Sequence, residues 1–404
     1  MKGFFSIKET QSKSRPDGKT YSCVSCGLLK HVSSPVMEPY GEFKKDILIV
    51  YDYPAKSDDE RNMPLTDKYG RKIKKVLSKF GIDAYRDCLI TQSMRCHAGS
   101  RKGNLSYEIA CCRKFLLKTI DEHQPKLILL FGQTPLISLI GHRFKKDIGS
   151  IHKWRGFTIP DQDFKTWVCP VLDPQFVDQR ESEVQLIWEQ DIAQALEKIE
   201  EKFPKWKQPN IEIIDDLSVL REIKSEQIAI DYETTGIKPH APGHRIVCAA
   251  VADSPDHAYT FIMPKTRKER QPFIDLLENP MIGKLAQNMK FEDNWTTVRL
   301  KTQIKGWEFD SMLAAHILDN REGITGLKFQ TYIQFGVVDY SSEVDPYLKG
   351  AVANDSNSLN RVLELIENPR GREQLLTYCG MDTITQYRLS MLQVDKLNYS
   401  FLPF

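Results

Sequence analysis

From residue 46 onward, short apolar runs alternate with longer segments of helical period. The apolar runs fall at 46–53, 87–94, 126–132 and 167–172, and helical patterns lie between them near 67–80, 106–123 and 134–140. Strands that alternate with helices imply a mostly parallel sheet covered on both faces. A charged helix at roughly 181–202 follows, and the stretch 203–210 (FPKWKQPN) reads as a linker. After a short helix near 217–224, a second pattern begins. Strands are predicted at 227–232, 245–252 and 258–263, which form a meander, and near 282–286, with helices dominating from Asp293. The fold class is therefore α/β, in two domains expected at 1–205 and 211–404, a division that suits 404 residues. No internal repeat or low-complexity tract interrupts it.

Composition adds where the chain acts. Its 41% hydrophobic content is enough for real cores. The first residues are polar and basic with no apolar signal core, and no run of about 18 apolar residues occurs, so a cytoplasmic protein without a membrane partner is expected. Net charge is only +2, yet residues 1–210 carry 35 Lys+Arg against 27 Asp+Glu, and residues 211–404 carry 21 against 27. A basic half beside an acidic half suits a holder of nucleic acid joined to a metal-binding half. Nine cysteines without a signal peptide point to metal ligation or buried apolar roles rather than disulfides.

The acidic half holds the most telling chemistry. The strand 228–231 delivers Asp231 and Glu233 into a Thr-Thr-Gly turn. Alternate strand residues point the same way, and two acids held so close repel unless a cation sits between them. A divalent metal site at a strand end follows. Two later motifs add weight. Gln287-Asn288-Met289-Lys290-Phe291-Glu292-Asp293 leaves a strand and enters a helix, and Tyr378-Cys379-Gly380-Met381-Asp382 places Tyr378 and Asp382 on one helix face.

Together, in this order, these motifs over roughly 211–397 resemble the proofreading 3′–5′ exonuclease domain of family A DNA polymerases, in the DEDD-Y superfamily. The resemblance implies a ribonuclease H-like fold and two magnesium or manganese ions held by four acids. Asp231 and Glu233 match the first motif, and Tyr378 and Asp382 the third. The second motif puts Glu292 in register, with Asp293 directly beside it as the other candidate. The resemblance further implies that Tyr378 orients the attacking water, that Asn288 and Phe291 lie near the 3′-terminal nucleotide, and that the substrate is the 3′ end of a DNA single strand. Phe309 to His316 resembles the family's helix after the second motif.

In the basic half, Cys23-Val24-Ser25-Cys26 is followed by Cys96 and then by the adjacent pair Cys111 and Cys112. Four thiolates suit zinc or an iron–sulfur cluster, and the Cys111/Cys112 pair leaves the fourth ligand open. Cys88, Cys169, Cys248 and Cys379 sit in apolar or helical contexts and read as core packing. With Ile90–Cys96, Glu108–Cys112 and Pro125–Gly132 around them, these cysteines resemble family 4 uracil-DNA glycosylases over roughly 20–200. That resemblance implies a parallel sheet sandwiched by helices and a [4Fe–4S] cluster on Cys23, Cys26, Cys96 and Cys112.

The glycosylase pocket has changed at every position that can be aligned. Its Gly-Glu-Ala-Pro-Gly motif stands as Tyr51-Asp52-Tyr53-Pro54-Ala55, its stacking Phe as Leu65, its uracil-reading Asn as Gln92, and its His-Pro as Asp173-Pro174. An Asp in place of the His would repel negative charge on a departing base, so DNA holding rather than uracil excision is expected. Lys68, Arg71, Lys72, Lys74 and Lys75 form a basic run on one predicted helix. Arg101-Lys102, Lys145-Lys146 and His152-Lys153-Trp154-Arg155 add loop groups, with Lys72, Lys75 and Trp154 as candidate DNA contacts. Such a fusion resembles the front end of certain phage DNA polymerases, which would place it in the host cytoplasm. Only 22 residues follow Asp382, so a separate polymerase subunit or a truncated polymerase is expected. The alternatives are a non-catalytic replication scaffold and an active glycosylase.

Overall fold

A computed structural model describes residues 21–99, 105–144, 148–180, 182–338, 340–352 and 355–400. The polar tail through residue 20 and the pairs Arg101-Lys102 and Lys145-Lys146 lie outside the described residues. The chain divides into two compact units, one of Met1–Lys205 with Tyr332–Val337, the other of Trp206–Thr331 with Val338–Phe404. Among the described residues no helix is long and apolar enough to cross a membrane.

The first unit holds a five-stranded sheet in the order β2-β1-β3-β5-β4. Strands β1 (Ile47–Tyr51), β2 (Cys88–Gln92), β3 (Leu127–Phe131) and β5 (Thr166–Val171) run parallel, and β4 (Ile159–Asp161) runs antiparallel on the edge beside β5. Ile47 to Val50 and Leu127 to Phe131 are wholly buried, as expected of central strands covered on both faces. Helices α1 (Cys23–Cys26), α2 (Lys68–Lys79), α3 (Ser106–His123), α4 (Gln133–Leu139) and α5 (Ser182–Glu197) belong to this unit. Asp67 caps α2 by accepting from the Gly70 N–H at 2.7 Å.

Trp154 corrects an expectation. Its basic neighbours argued for a DNA contact, but its indole is fully buried, stands edge-on to Phe144 at 5.1 Å between ring centroids, and donates Nε1–H to the Ile148 carbonyl at 2.5 Å. It is core and cannot stack on a base. Trp154→Ala is expected to cost about 3–5 kcal/mol of stability, the range for emptying a buried aromatic site. A denaturant titration measures this.

The second unit holds a six-stranded sheet in the order β11-β10-β7-β8-β9-β6. The expected meander is β7 (Gln227–Thr234), β8 (Ile246–Ser254) and β9 (His257–Ile262), all antiparallel. Parallel to its flanks lie β6 (Asn210–Ile213), β10 (Gly283–Ala286) and β11 (Trp307–Asp310). Helices α6 (Arg267–Glu278), α7 (Met289–Trp295), α8 (Ser311–Leu318) and α10 (Pro369–Ser400) complete it, with the start of α9 (Leu327–Phe335), whose residues from Tyr332 on belong to the first unit. One face of the meander is covered by α10. Gly380 permits this close approach, since a Cβ there would meet Ile211 Cγ2 at 2.7 Å and Thr260 Cγ2 at 2.8 Å. Gln386 locks the helix in place by donating to the Ile230 carbonyl at 2.6 Å.

Candidate metal centre

Asp231 and Glu233 share the face of β7 that α10 covers, and Tyr378 and Asp382 project from α10, four residues apart. Glu292 enters from the first turn of α7. That turn is held by Asp310. Its carboxylate accepts the Asn288 and Met289 N–H groups at 3.0 Å each, and its Oδ1 also caps α8 through Met312 N–H at 2.9 Å. Asn288 itself adopts the left-handed conformation, φ 69°, which Asn tolerates better than most residues.

Four carboxylates thus converge where little water reaches. Burial first, and then Asp382, pushes Asp231 up to about 8, against a lowering pull from the Lys328 ammonium. Burial and the neighbouring Asp231 hold Glu233 well above the usual carboxylate range, and the same two causes raise Glu292. Glu292 is 2% exposed, and its Oε2 has no hydrogen-bond partner. Acids raised in this way, with an orphaned buried oxygen among them, fit a centre that divalent cations complete. Ligand atoms of Asp231, Glu233 and Cys379 all lie within 4.8 Å of one another.

Asp382 is held by two groups that sequence reasoning missed. Lys328, on α9, forms an ion pair with Oδ1, and the Tyr340 hydroxyl donates to the same oxygen at 2.6 Å. The Lys328 Nζ also sits 3.8 Å from the centroid of the Tyr340 ring and 4.2 Å from that of Tyr378. With Oδ1 doubly engaged, Oδ2 is the oxygen left to face an ion. Neither residue belongs to a recognisable spacing, so only the fold reveals them.

The neighbour of Glu292 is not part of this set. Asp293 Oδ1 accepts from Trp307 Nε1–H at 3.3 Å, so of the two candidates it is Glu292 that joins the other acids. Phe291 is half-buried against the core with its ring 6.0 Å from Trp295, and Asn288 is half-exposed at the same turn.

In the first unit, Cys23, Cys26, Cys96 and Cys112 are brought into one neighbourhood. Burial pushes the Cys112 thiol up to about 12, and Cys96, Cys23 and Cys26 add to the shift. Cys96 is raised by burial with Cys23 and Cys26 behind it, and its Sγ accepts the Val36 N–H at 3.3 Å. Cys111 is also buried, packed with Cys26, Leu28 and Cys96. Among the described residues no three of the four sulfurs fall within 4.8 Å of one another. A single tetrahedral zinc, with Zn–S bonds of about 2.3 Å, would draw them to roughly 3.8 Å apart.

The positions that correspond to a glycosylase pocket are partly filled by the protein's own side chains. Gln92 is buried and donates Nε2–H to the Tyr51 hydroxyl at 2.8 Å, while that hydroxyl donates to Asp58 at 3.1 Å. Leu65 is wholly buried. Asp173 caps a helix turn through Gln175 N–H at 2.7 Å. Burial and the nearby Asp173 push Asp52 up to about 7, so two acids stand where a base-reading pocket needs a cationic or neutral donor. The basic run is partly neutralised. Lys68 and Lys72 both reach Asp178, at 2.5 and 3.4 Å, and Lys79 reaches Glu189 at 2.6 Å, whereas Lys75 is exposed. Such surface pairs are worth little and yield readily to a phosphate.

Comparison with known proteins agrees with both halves. The model of the Uracil DNA glycosylase superfamily matches residues 38–197, and that of the 3′-5′ exonuclease family matches residues 211–392. The type-4 uracil-DNA glycosylase of Pyrobaculum aerophilum is 27% identical over 128 residues, 31% of this chain, and that of Archaeoglobus fulgidus is 23% identical over 112 residues, 28% of this chain. The chain spans 64% of the first relative's length and 55% of the second's. Among solved structures, Brucella melitensis NrnC is 16% identical with a TM-score of 0.33, covering 48% of this chain and 82% of that one. Escherichia coli RNase D is 14% identical with a TM-score of 0.35, covering 48% of this chain and 46% of that one. The chain carries a domain of the Uracil DNA glycosylase superfamily followed by a 3′-5′ exonuclease domain.

Proposed function

We propose that this protein is a metal-dependent 3′–5′ DNA exonuclease whose N-terminal domain holds DNA without excising uracil. The observation that carries the reading is the four-acid set of Asp231, Glu233, Glu292 and Asp382 around an orphaned Glu292 oxygen. These residues would hold two magnesium or manganese ions, which supply an activated water and stabilise the leaving oxygen of a phosphodiester. Tyr378, on the same helix face as Asp382, orients the water. Asn288 and Phe291 border the 3′-terminal nucleotide, with Lys75, and Lys72 once released from Asp178, contacting phosphates. Cys23, Cys26, Cys96 and Cys112 carry a [4Fe–4S] cluster, a reading supported by the likeness of this domain to type-4 uracil-DNA glycosylases. Iron and sulfide in stoichiometric amounts are expected; stoichiometric zinc in a colourless protein would overturn the cluster.

The domain pair fits proofreading beside a phage-type family A polymerase, in the cytoplasm of the host, with single-stranded DNA 3′ ends as substrate and the polymerase as a separate subunit. A 5′-labelled single strand incubated with magnesium should shorten stepwise from its 3′ end and stop with a chelator. Undigested DNA with bound protein would favour a replication scaffold instead. Uracil-containing DNA should yield no abasic sites, because Asp173 stands where the charge of a departing base must be stabilised. Tyr340→Phe removes one of two groups that fix Asp382 and should lower the digestion rate about tenfold, the effect of losing an outer partner of a metal ligand.

A further inference from the structure

Cys379 packs in the core as expected, yet its thiol also touches the carboxylate centre. Its Sγ lies 3.7 Å from Asp231 Oδ2 and 3.7 Å from the Asp231 carbonyl oxygen. A second thiol joins it. Cys248 stands directly opposite Glu233 in the β7–β8 ladder, and opposed residues of a ladder share a face. The Cys248 and Cys379 thiols pack in the same buried cluster and lie close enough to influence each other. Ligand atoms of Asp231, Glu233 and Cys379 thus lie within 4.8 Å of one another, with Cys248 flanking them beside Glu233 and Cys379. Both thiols are wholly buried, while Asp231 is half-buried at the edge of the group. The unpartnered Glu292 Oε2, beside Asp231, is an independent sign that this space is shaped for a cation.

Two oxygens and two sulfurs are a poor set for magnesium, which takes six oxygen ligands and gains nothing from sulfur. They are a good set for zinc or cadmium, which accept four ligands and bind thiolate strongly. We propose that Asp231, Glu233, Cys248 and Cys379 form a thiophilic metal site. It takes an ion of the zinc or cadmium class and, by engaging both β7 carboxylates, shuts out the hard ions of the hydrolytic centre. Binding releases to solvent the two thiol protons and any protons that the Asp231 and Glu233 carboxyls hold. The binding stands on this geometry alone, and the inhibition rests on the exonuclease reading.

The test counts bound cadmium on the full chain dialysed with a large excess of magnesium. The wild type is expected to hold one more cadmium per chain than the Cys248→Ser/Cys379→Ser variant, with added sulfur-to-cadmium charge-transfer absorbance. The N-terminal cysteines contribute equally to both chains and cancel. Zinc inhibition of magnesium-supported digestion, measured against each chain's own uninhibited rate, should weaken about tenfold or more in the variant. Equal cadmium counts overturn the site, and an extra cadmium with unchanged zinc inhibition overturns its control of hydrolysis. If the double variant does not fold, Cys379→Ser alone carries the same comparison. A wild type that digests no DNA still yields a cadmium count, so failure of the exonuclease reading is separable from failure of this one.

Discussion

Glu292→Gln is expected to lower metal-dependent digestion about a thousandfold, while Asp293→Asn changes it by less than about threefold. The two residues are adjacent, and both are acidic, so the contrast isolates position. Glu292 is buried among the other acids with one oxygen unpartnered, whereas Asp293 already serves the Trp307 indole, a bond that Asn can also accept. Loss of one ligand from a two-metal centre removes several kcal/mol of charge stabilisation, and about 4 kcal/mol corresponds to a thousandfold in rate. Mononucleotide release at saturating manganese measures it. Misfolding is not a competing explanation, because Gln replaces a carboxyl whose ionisation burial and Asp231 already oppose. The metal-free melting temperature of Glu292→Gln should match or exceed that of the wild type. If Asp293→Asn shows the large loss instead, Glu292 is not the ligand.

That choice between neighbours shows what the chain disclosed and what it hid. The strand pair Asp231 and Glu233 was legible because a period of two fixes a shared face, and Tyr378 with Asp382 because a spacing of four does the same on a helix. No spacing distinguishes Glu292 from Asp293. Consecutive helix residues point about 100° apart, and which one faces inward depends on how the helix is entered, here through the Asp310 clamp on Asn288 and Met289. Lys328 and Tyr340 were invisible for a similar reason, since each is a single residue whose meaning is purely spatial. Among the strands, the buried apolar runs were plain, but β6 is a four-residue, largely exposed edge strand whose two isoleucines are too few to stand out, and it begins inside the expected linker. β4 has three residues with Pro160 in the middle, β11 has four of mixed exposure, and α6 starts Arg-Lys-Glu-Arg and carries Pro272, which masks its apolar face. Trp154 was misread because its neighbours in sequence are basic while its neighbours in space are apolar.

The metal-free protein is expected to lose stability as pH rises from about 5 to about 8, and to recover it when a divalent ion is added. The sign follows from the acids. Unfolded, Asp231, Glu233 and Glu292 release their protons near the ordinary values of 3.8 and 4.5. Folded, Asp231 holds its proton up to about 8, and the other two hold theirs well above 4.5. Between those limits the native chain binds more protons than the unfolded one, so each step up in pH favours unfolding. Lys328 offsets part of the repulsion but contributes one positive charge against four acids. A divalent ion binds the ionised native form and reverses the trend. At a hundred times its Kd it adds about 2.7 kcal/mol, and at roughly 2–4 °C per kcal/mol for a domain of this size the midpoint should rise about 5–10 °C. Thermal melts at low and high pH, with chelator or with manganese, measure both effects. Asp231→Asn should make the pH slope shallower, leaving the part that burial of Glu233 and Glu292 causes, and should abolish the manganese shift, because the lost carboxylate contributes to both. A manganese shift that survives Asp231→Asn would place the ion elsewhere in the chain.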